Sequence, residues 1–161
     1  MMDKLWAPWR INYISNAKKQ KGCLFCRTSK SSLDRKNLII LRSRHVFVML
    51  NKFPYNNGHL MAAPYRHIKD LKSLTQEEIL DMFSTLNNIQ DILKKTLNPA
   101  GFNIGINAGR SAGAGIPGHL HIHIVPRWKE DTNFMPVVFD TKIISQSLDE
   151  LYDKLSKKLG R

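Results

Sequence analysis

The sequence predicts an α+β protein, an antiparallel β-sheet flanked by a long helix and a C-terminal helix. Short apolar runs at 38–41, 45–50 and 59–63, separated by Arg42-Ser43-Arg44 and by Asn56-Asn57-Gly58, have the length and punctuation of strands. Residues 79–97 and 144–159 instead repeat their apolar positions at three- and four-residue steps, the period of a helix lying on a core. Finally, His119, His121 and His123 alternate with Leu120, Ile122 and Ile124, which on a strand sends the imidazoles to one face and the apolar side chains to the other.

In chain order, residues 1–22 read as an N-terminal arm, with Trp6-Ala7-Pro8-Trp9 expected to anchor on the body or on a partner subunit. Cys23-Leu24-Phe25-Cys26 follows Gly22 and reads as a tight turn before the first strand. The three runs at 38–63 suggest a meander, closed by Pro64. Both Ser73-Leu74-Thr75-Gln76 and Thr75-Gln76-Glu77-Glu78 have the form of a capping box, and Glu77 and Glu78 suit the positive end of a helix. Ile79, Met82, Phe83, Leu86, Ile89, Leu93 and Leu97 form its expected apolar stripe, and Asn98-Pro99 with Gly101 ends it. Residues 102–107 read as a fourth strand, and 108–118 as a glycine-rich loop leading to the histidine strand. A polar stretch after Trp128 precedes a short apolar run at 137–139, and the chain closes with an amphipathic helix. The domain boundaries that follow are 1–22 for the arm, 23–130 for the main domain and 131–161 for a C-terminal extension.

A chain of 161 residues supports one core of ordinary size. No segment approaches the roughly 18 continuous apolar residues of a membrane helix, and residues 1–14 lack the uninterrupted apolar region of a secretory signal, so the expected location is cytoplasmic, without a membrane partner. In a reducing compartment two cysteines separated by two residues suit a metal knuckle or a redox pair better than a stabilising disulfide. The formal net charge of +12 favours anionic partners without choosing among them. Much of the excess lies in lysine runs of the kind that form solvated faces. With no appended basic domain, nucleic acid is not the expected partner.

Three histidines in register place the one side chain that titrates near neutral pH three times on one small surface. Such a row serves either a metal site or acid–base and nucleophilic chemistry. The run His119-Leu120-His121-Ile122-His123-Ile124-Val125, with Asn51 and Gly58-His59 upstream, the glycine-rich approach, and Pro126-Arg127 downstream, resembles the histidine triad (HIT) family of nucleotide hydrolases and transferases. The flanks Leu5-Trp6-Ala7-Pro8-Trp9-Arg10 and Asp131-Thr132-Asn133-Phe134-Met135-Pro136 are similar to its bacterial diadenosine tetraphosphate phosphorylase-like branch.

The resemblance implies a HIT-like fold, paired as a homodimer. His121 is the implied nucleophile at a nucleotide α-phosphorus, with His123 and His59 flanking the phosphate. A neutral imidazole is chemically suited to this, since a covalent nucleotidyl intermediate splits one displacement into two. Asn51 is the implied ribose contact and Phe47 a candidate for the base. Many family members carry Gln, Ser or Thr just before the first histidine, where this chain has Gly113-Ala114-Gly115-Ile116-Pro117-Gly118. Backbone N–H groups at Gly115, helped by Asn107 or Ser111, would then hold the phosphate, and Arg127 is a candidate for a distal one. Zinc-containing relatives imply a structural Zn2+ on Cys23, Cys26, His67 and His119, a complete tetrahedral set. A catalytic metal on the three triad histidines is the alternative, and it leaves the cysteines unexplained. The expected activity is cleavage or nucleotidyl transfer on a dinucleoside polyphosphate by hydrolysis or phosphorolysis. A nucleotide-binding module without turnover and a nucleic-acid end-processing protein are the rival readings.

Overall fold

The computed structural model describes residues 22–129, 131 and 144–160. The expected N-terminal anchor and the run at 137–139 lie outside the described residues. Five strands, β1 (Ile39–Arg42), β2 (Val46–Leu50), β3 (Leu60–Pro64), β4 (Gly101–Gly105) and β5 (Ile122–Arg127), form one sheet in the order β1-β2-β3-β5-β4. Every neighbouring pair is antiparallel. The expected meander is present as β1 to β3. β5 then enters between β3 and β4, so the histidine-bearing strand is gripped from both sides.

The alternation of β2, β3 and β5 divides the sheet into two faces. Val46, Val48, Leu50, Leu60, Ala62, Ile122 and Ile124 bury one face against α3 (Gln76–Leu97) and α4 (Leu148–Lys158). Phe47, Met49, Met61 and Ala63 turn to the other, where Phe25 of α1 (Leu24–Ser29) completes a smaller core. Each large side chain buried in this way contributes about 1.5–3 kcal/mol. α4 supplies Leu151, Tyr152 and Leu155 to the larger core, so this part of the chain packs with the main domain.

α3 starts on the second of the two expected capping boxes. The Thr75 hydroxyl accepts from the Glu78 N–H, and the Glu78 carboxylate accepts from the Thr75 N–H at 2.9 Å and from Arg66 at 2.7 Å. It ends at Asn98, whose φ of 46° is left-handed. The expected apolar stripe is corrected at its start: Met82, Leu86, Ile89 and Leu93 are buried, but Ile79 and Phe83 are 40% and 61% exposed. At about 100° per residue, Phe83 lies well around the helix from Met82, beyond the width of the sheet beneath. Two short helices, α1 and α2 (Asp34–Asn37), stand where no helix was expected. Cys23 is the N-cap of α1, so the cysteine pair opens a helical turn.

β5 begins at Ile122, three residues after the expected start of the histidine strand. Its ladder with β3 runs from Leu60↔Ile124 to Ala62↔Ile122, and beyond it the Leu120 N–H turns to the Ile68 carbonyl at 2.7 Å. The chain enters β3 through Gly58, whose φ of +75° is a glycine conformation. A Cβ there would lie 2.7 Å from Leu97 Cδ1 and 2.9 Å from Pro126 Cγ. No helix among the described residues is long and apolar enough to cross a membrane.

Candidate active site

His119, His121 and His123 all come to the face opposite α3. The ring centroids of His121 and His123 are 4.9 Å apart, and Phe25 lies against both His119 (5.1 Å) and His121 (4.9 Å). Each imidazole has one nitrogen committed to a partner, which fixes the role of the other. His121 donates its Nδ1–H to the His119 carbonyl at 2.8 Å, leaving Nε2 an unprotonated lone pair. His119 donates its Nε2–H to the Pro64 carbonyl at 3.0 Å, which leaves its Nδ1 bare.

A second chain of bonds runs from β3. His59 Nδ1 accepts the Tyr55 N–H at 3.0 Å, so its proton sits on Nε2 and is donated to His123 Nδ1 at 2.9 Å. His123 therefore carries its own proton on Nε2. Asn107 comes within 3.5 Å of that nitrogen, while the Asn51 amide nitrogen lies 3.3 Å from His59 Nδ1 and its Oδ1 accepts from the Phe53 N–H at 2.9 Å. Tyr55 covers the pair from the solvent side, its ring 4.6 Å from that of His59 and 5.8 Å from that of His123.

Burial keeps these rings neutral. It pushes the pKa of His59 down to about 3, helped by the facing His123 and His121, and that of His123 down to about 4, helped by His121. His121 and His119 are lowered by burial too, each partly offset by the carbonyl it bonds. Neutral imidazoles are what the hydrogen-bond chain needs, since a second proton on His59 or His123 would displace a partner.

Cys23, Cys26, His67 and His119 meet beside this row, with one donor atom from each within 4.8 Å of the others. Cys23 Sγ is 3.3 Å and Cys26 Sγ 3.6 Å from His119 Nδ1, and Cys26 Sγ is 3.2 Å from His67 Nδ1. A tetrahedral zinc with ordinary Zn–S and Zn–N bonds has ligand-to-ligand edges of about 3.3–3.8 Å. The donor set and these three separations therefore fit that ion, and the Pro64 carbonyl supplies the outer-sphere bond that orients a metal-binding histidine. The Cys26 thiol is pushed up by burial and by Cys23, with Lys30 offsetting part of the rise.

The other expected contacts are placed less favourably. Phe47 is fully buried, in edge contact with Phe25 at 6.2 Å and stacked on Tyr65 at 5.5 Å, so the expected base contact is corrected to a core residue under the site. Arg127 is at the far end of β5, paired with Asp131 and bonded to Asn103 at 2.7 Å, which takes it away from the histidines. Ser111 and Gly115 are exposed on the glycine-rich loop, and no hydrogen bond or ring contact among the described residues ties either to the triad. Phe25, Tyr55 and Asn56 were not singled out from sequence. The position of Phe25 between two cysteines was the signal available for it.

The fold and the site define a histidine-triad protein, and the sequence agrees. The HIT domain pattern matches residues 33–130, more than half of the chain, and the protein belongs to the HIT family. Over 99% of its length it is 34% identical to an AP-4-A phosphorylase of Mycobacterium tuberculosis, covering 86% of that protein. It is 33% identical over 63% of its length to a bis(5'-nucleosyl)-tetraphosphatase (asymmetrical) of Schizosaccharomyces pombe, covering 55% of that chain. Among solved structures, a Zn-bound histidine triad family protein from Mycobacterium smegmatis superposes with a TM-score of 0.66 at 23% identity, covering 86% of this chain and 94% of that one.

Proposed function

We propose that the protein cleaves dinucleoside polyphosphates by phosphorolysis through a covalent intermediate on His121. The observation that carries this reading is the tautomer of His121, whose Nδ1–H is held by the His119 carbonyl so that Nε2 is free to attack. The full-length likeness to a phosphorylase favours phosphate over water as the second acceptor.

On diadenosine tetraphosphate, His121 Nε2 forms a bond to the α-phosphorus of one adenosine, and the bond from that phosphorus to the bridging oxygen breaks. His123 directs its Nε2–H as a hydrogen bond to that bridging oxygen, so ATP departs as its anion with the developing charge stabilised, and the bond from His59 holds the ring in this orientation. Inorganic phosphate then attacks the same phosphorus, the P–N bond breaks, and ADP leaves. Asn51 and Asn107, beside His59 and His123, are the contacts this reading gives the nucleotide.

Zinc belongs to the same reading as a structural ion on Cys23, Cys26, His67 and His119, where it cross-links α1, the segment after β3 and the start of the triad. The working domain then begins at Cys23, upstream of the matched region. Pairing of two chains along the open edge of β4, where Ile104 is 43% exposed, completes the reading.

The test is a product assay on diadenosine tetraphosphate. ADP plus ATP appearing only with inorganic phosphate is expected, and His121→Ala should reduce turnover by about 10^4-fold or more, the scale for removing a covalent nucleophile. AMP plus ATP without phosphate would make the protein a hydrolase, and undiminished turnover by His121→Ala would overturn the mechanism.

A further inference from the structure

We propose that Asn56 is a positioning residue for the His59–His123 pair, its side chain tying the turn that carries His59 to the end of β5 and to Asp131. The inference rests on the reading of His123 as the hydrogen-bond donor to the leaving oxygen. It names a residue that touches neither the nucleotide nor the reacting atoms.

Asn56 lies in the connection between β2 and β3 and is buried. Its side-chain amide donates to the Pro126 carbonyl at 3.1 Å and to Asp131 Oδ1 at 2.8 Å, so both of its N–H bonds are used. Its backbone carbonyl accepts the His59 N–H at 3.2 Å, and the residue before it, Tyr55, donates the N–H that holds His59 Nδ1 at 3.0 Å. One short turn thus grips His59 by backbone and by ring, while the Asn56 side chain grips the strand that carries His123.

The 2.9 Å bond between His59 and His123 spans the same two elements. Its length and direction depend on how the turn sits on β5, and the Asn56 amide is a polar bridge between them. Loosening the bridge lets the Tyr55 N–H leave His59 Nδ1, and the His59 proton is then no longer confined to Nε2. His123 Nδ1 loses its donor, and the proton on its Nε2 is no longer specified. Asp131 is itself held, with a side chain only 7% exposed and paired to Arg127. It lies one residue beyond the matched domain, so the chain after residue 130 acts on the site through this bridge.

The experiment compares Asn56→Ala, Asp131→Ala and the double variant with Thr75→Ala, which weakens the remote α3 cap as a stability control. Turnover of diadenosine tetraphosphate with phosphate gives kcat and KM, and nitrogen-15 spectra of the imidazoles give the tautomers of His59 and His123. Each bridge variant should lower kcat by about tenfold or more with KM within roughly twofold, the size expected for a lost buried hydrogen bond. The double variant should be no worse than Asn56→Ala, because that variant already lacks the Asp131 contact. The His59 signal should move from a single Nε2–H tautomer to a mixture, and Thr75→Ala should change neither kcat nor the spectra.

An unchanged His59 tautomer in folded Asn56→Ala, additive losses in the double variant, or an equal kcat loss in Thr75→Ala would overturn the proposal. Should Asn56→Ala fail to fold, Asp131→Ala removes one of the two acceptors and leaves the turn sequence intact. If the wild-type protein cleaves no dinucleoside polyphosphate, the functional reading fails while the imidazole spectra still decide this one.

Discussion

An imidazole has two nitrogens, and this protein gives them separate work. His119 bonds Pro64 with one and faces two sulfurs with the other; His121 bonds a carbonyl and keeps a lone pair; His59 accepts from Tyr55 and donates to His123. Which residues would gather was legible in the alternation at 119–123 and, through the family pattern, at Cys23, Cys26, His59 and His67. Which nitrogen carries each proton was not, because it depends on carbonyls and N–H groups at Pro64, His119 and Tyr55 that have no side-chain signature. For the same reason Phe47 and Arg127 were misplaced: an aromatic on a strand or an arginine at its end fits substrate or core equally well until its neighbours are known. A pH dependence of stability follows from His59. Its folded pKa, about 3, is below the ordinary 6.5, so between those values the unfolded chain binds a proton that the folded one does not. Stability is therefore complete above about pH 6.5 and is lost on acidification, with a slope approaching about 1.4 kcal/mol per pH unit for one such group. Unfolding midpoints measured from pH 7 to pH 5 should fall less steeply in His59→Gln than in the wild type, and parallel slopes would remove His59 as a source.

Elements of several turns or with clear alternation could be read from the chain, and short ones could not. α3 and α4 have enough residues for helical periodicity to emerge, whereas α1, with six residues, and α2, with four, have too few. Periodicity also gives the direction of an apolar arc without the width of what it meets, which is why Ile79 and Phe83 were counted as core. The start of β5 was misjudged because the alternating pattern continues past the point where β3 has a partner to offer. The Asn56-Asn57-Gly58 turn was read correctly as punctuation, but its tightness comes from α3 and β5, which pack over Gly58 from distant parts of the sequence. Gly58→Ala combines a positive φ with contacts of 2.7 and 2.9 Å to Leu97 and Pro126. It should destabilise the protein by more than about 1 kcal/mol, read by denaturant titration, and a neutral result would show that the turn relaxes freely.

Taken whole, the molecule is a sheet with one face given to packing and the other to donor atoms. α3 and α4 cover the first, and the second carries the triad, its aromatic supports and the Cys2His2 cluster. Removing the metal proposed there should leave the larger core intact while freeing α1. Metal analysis is expected to find about one zinc per chain, and chelation or Cys23→Ser to lower the unfolding midpoint by several degrees, the effect of losing about 1–2 kcal/mol in a domain of this size. Protein free of zinc with an unchanged midpoint would dismiss the ion, and sedimentation of the same samples as single chains would dismiss the β4 pairing. The two faces also set how the sequence can drift. From 119 to 125 adjacent codons answer to opposite demands: Ile122 and Ile124 need only volume and greasiness and can exchange with Val or Leu, while His121 and His123 need one arrangement of two nitrogens and accept no substitute. Selection on this stretch should therefore leave a record with a period of two, permissive and intolerant positions in turn, written into the gene by the alternation of β5 and of the residues that lead into it.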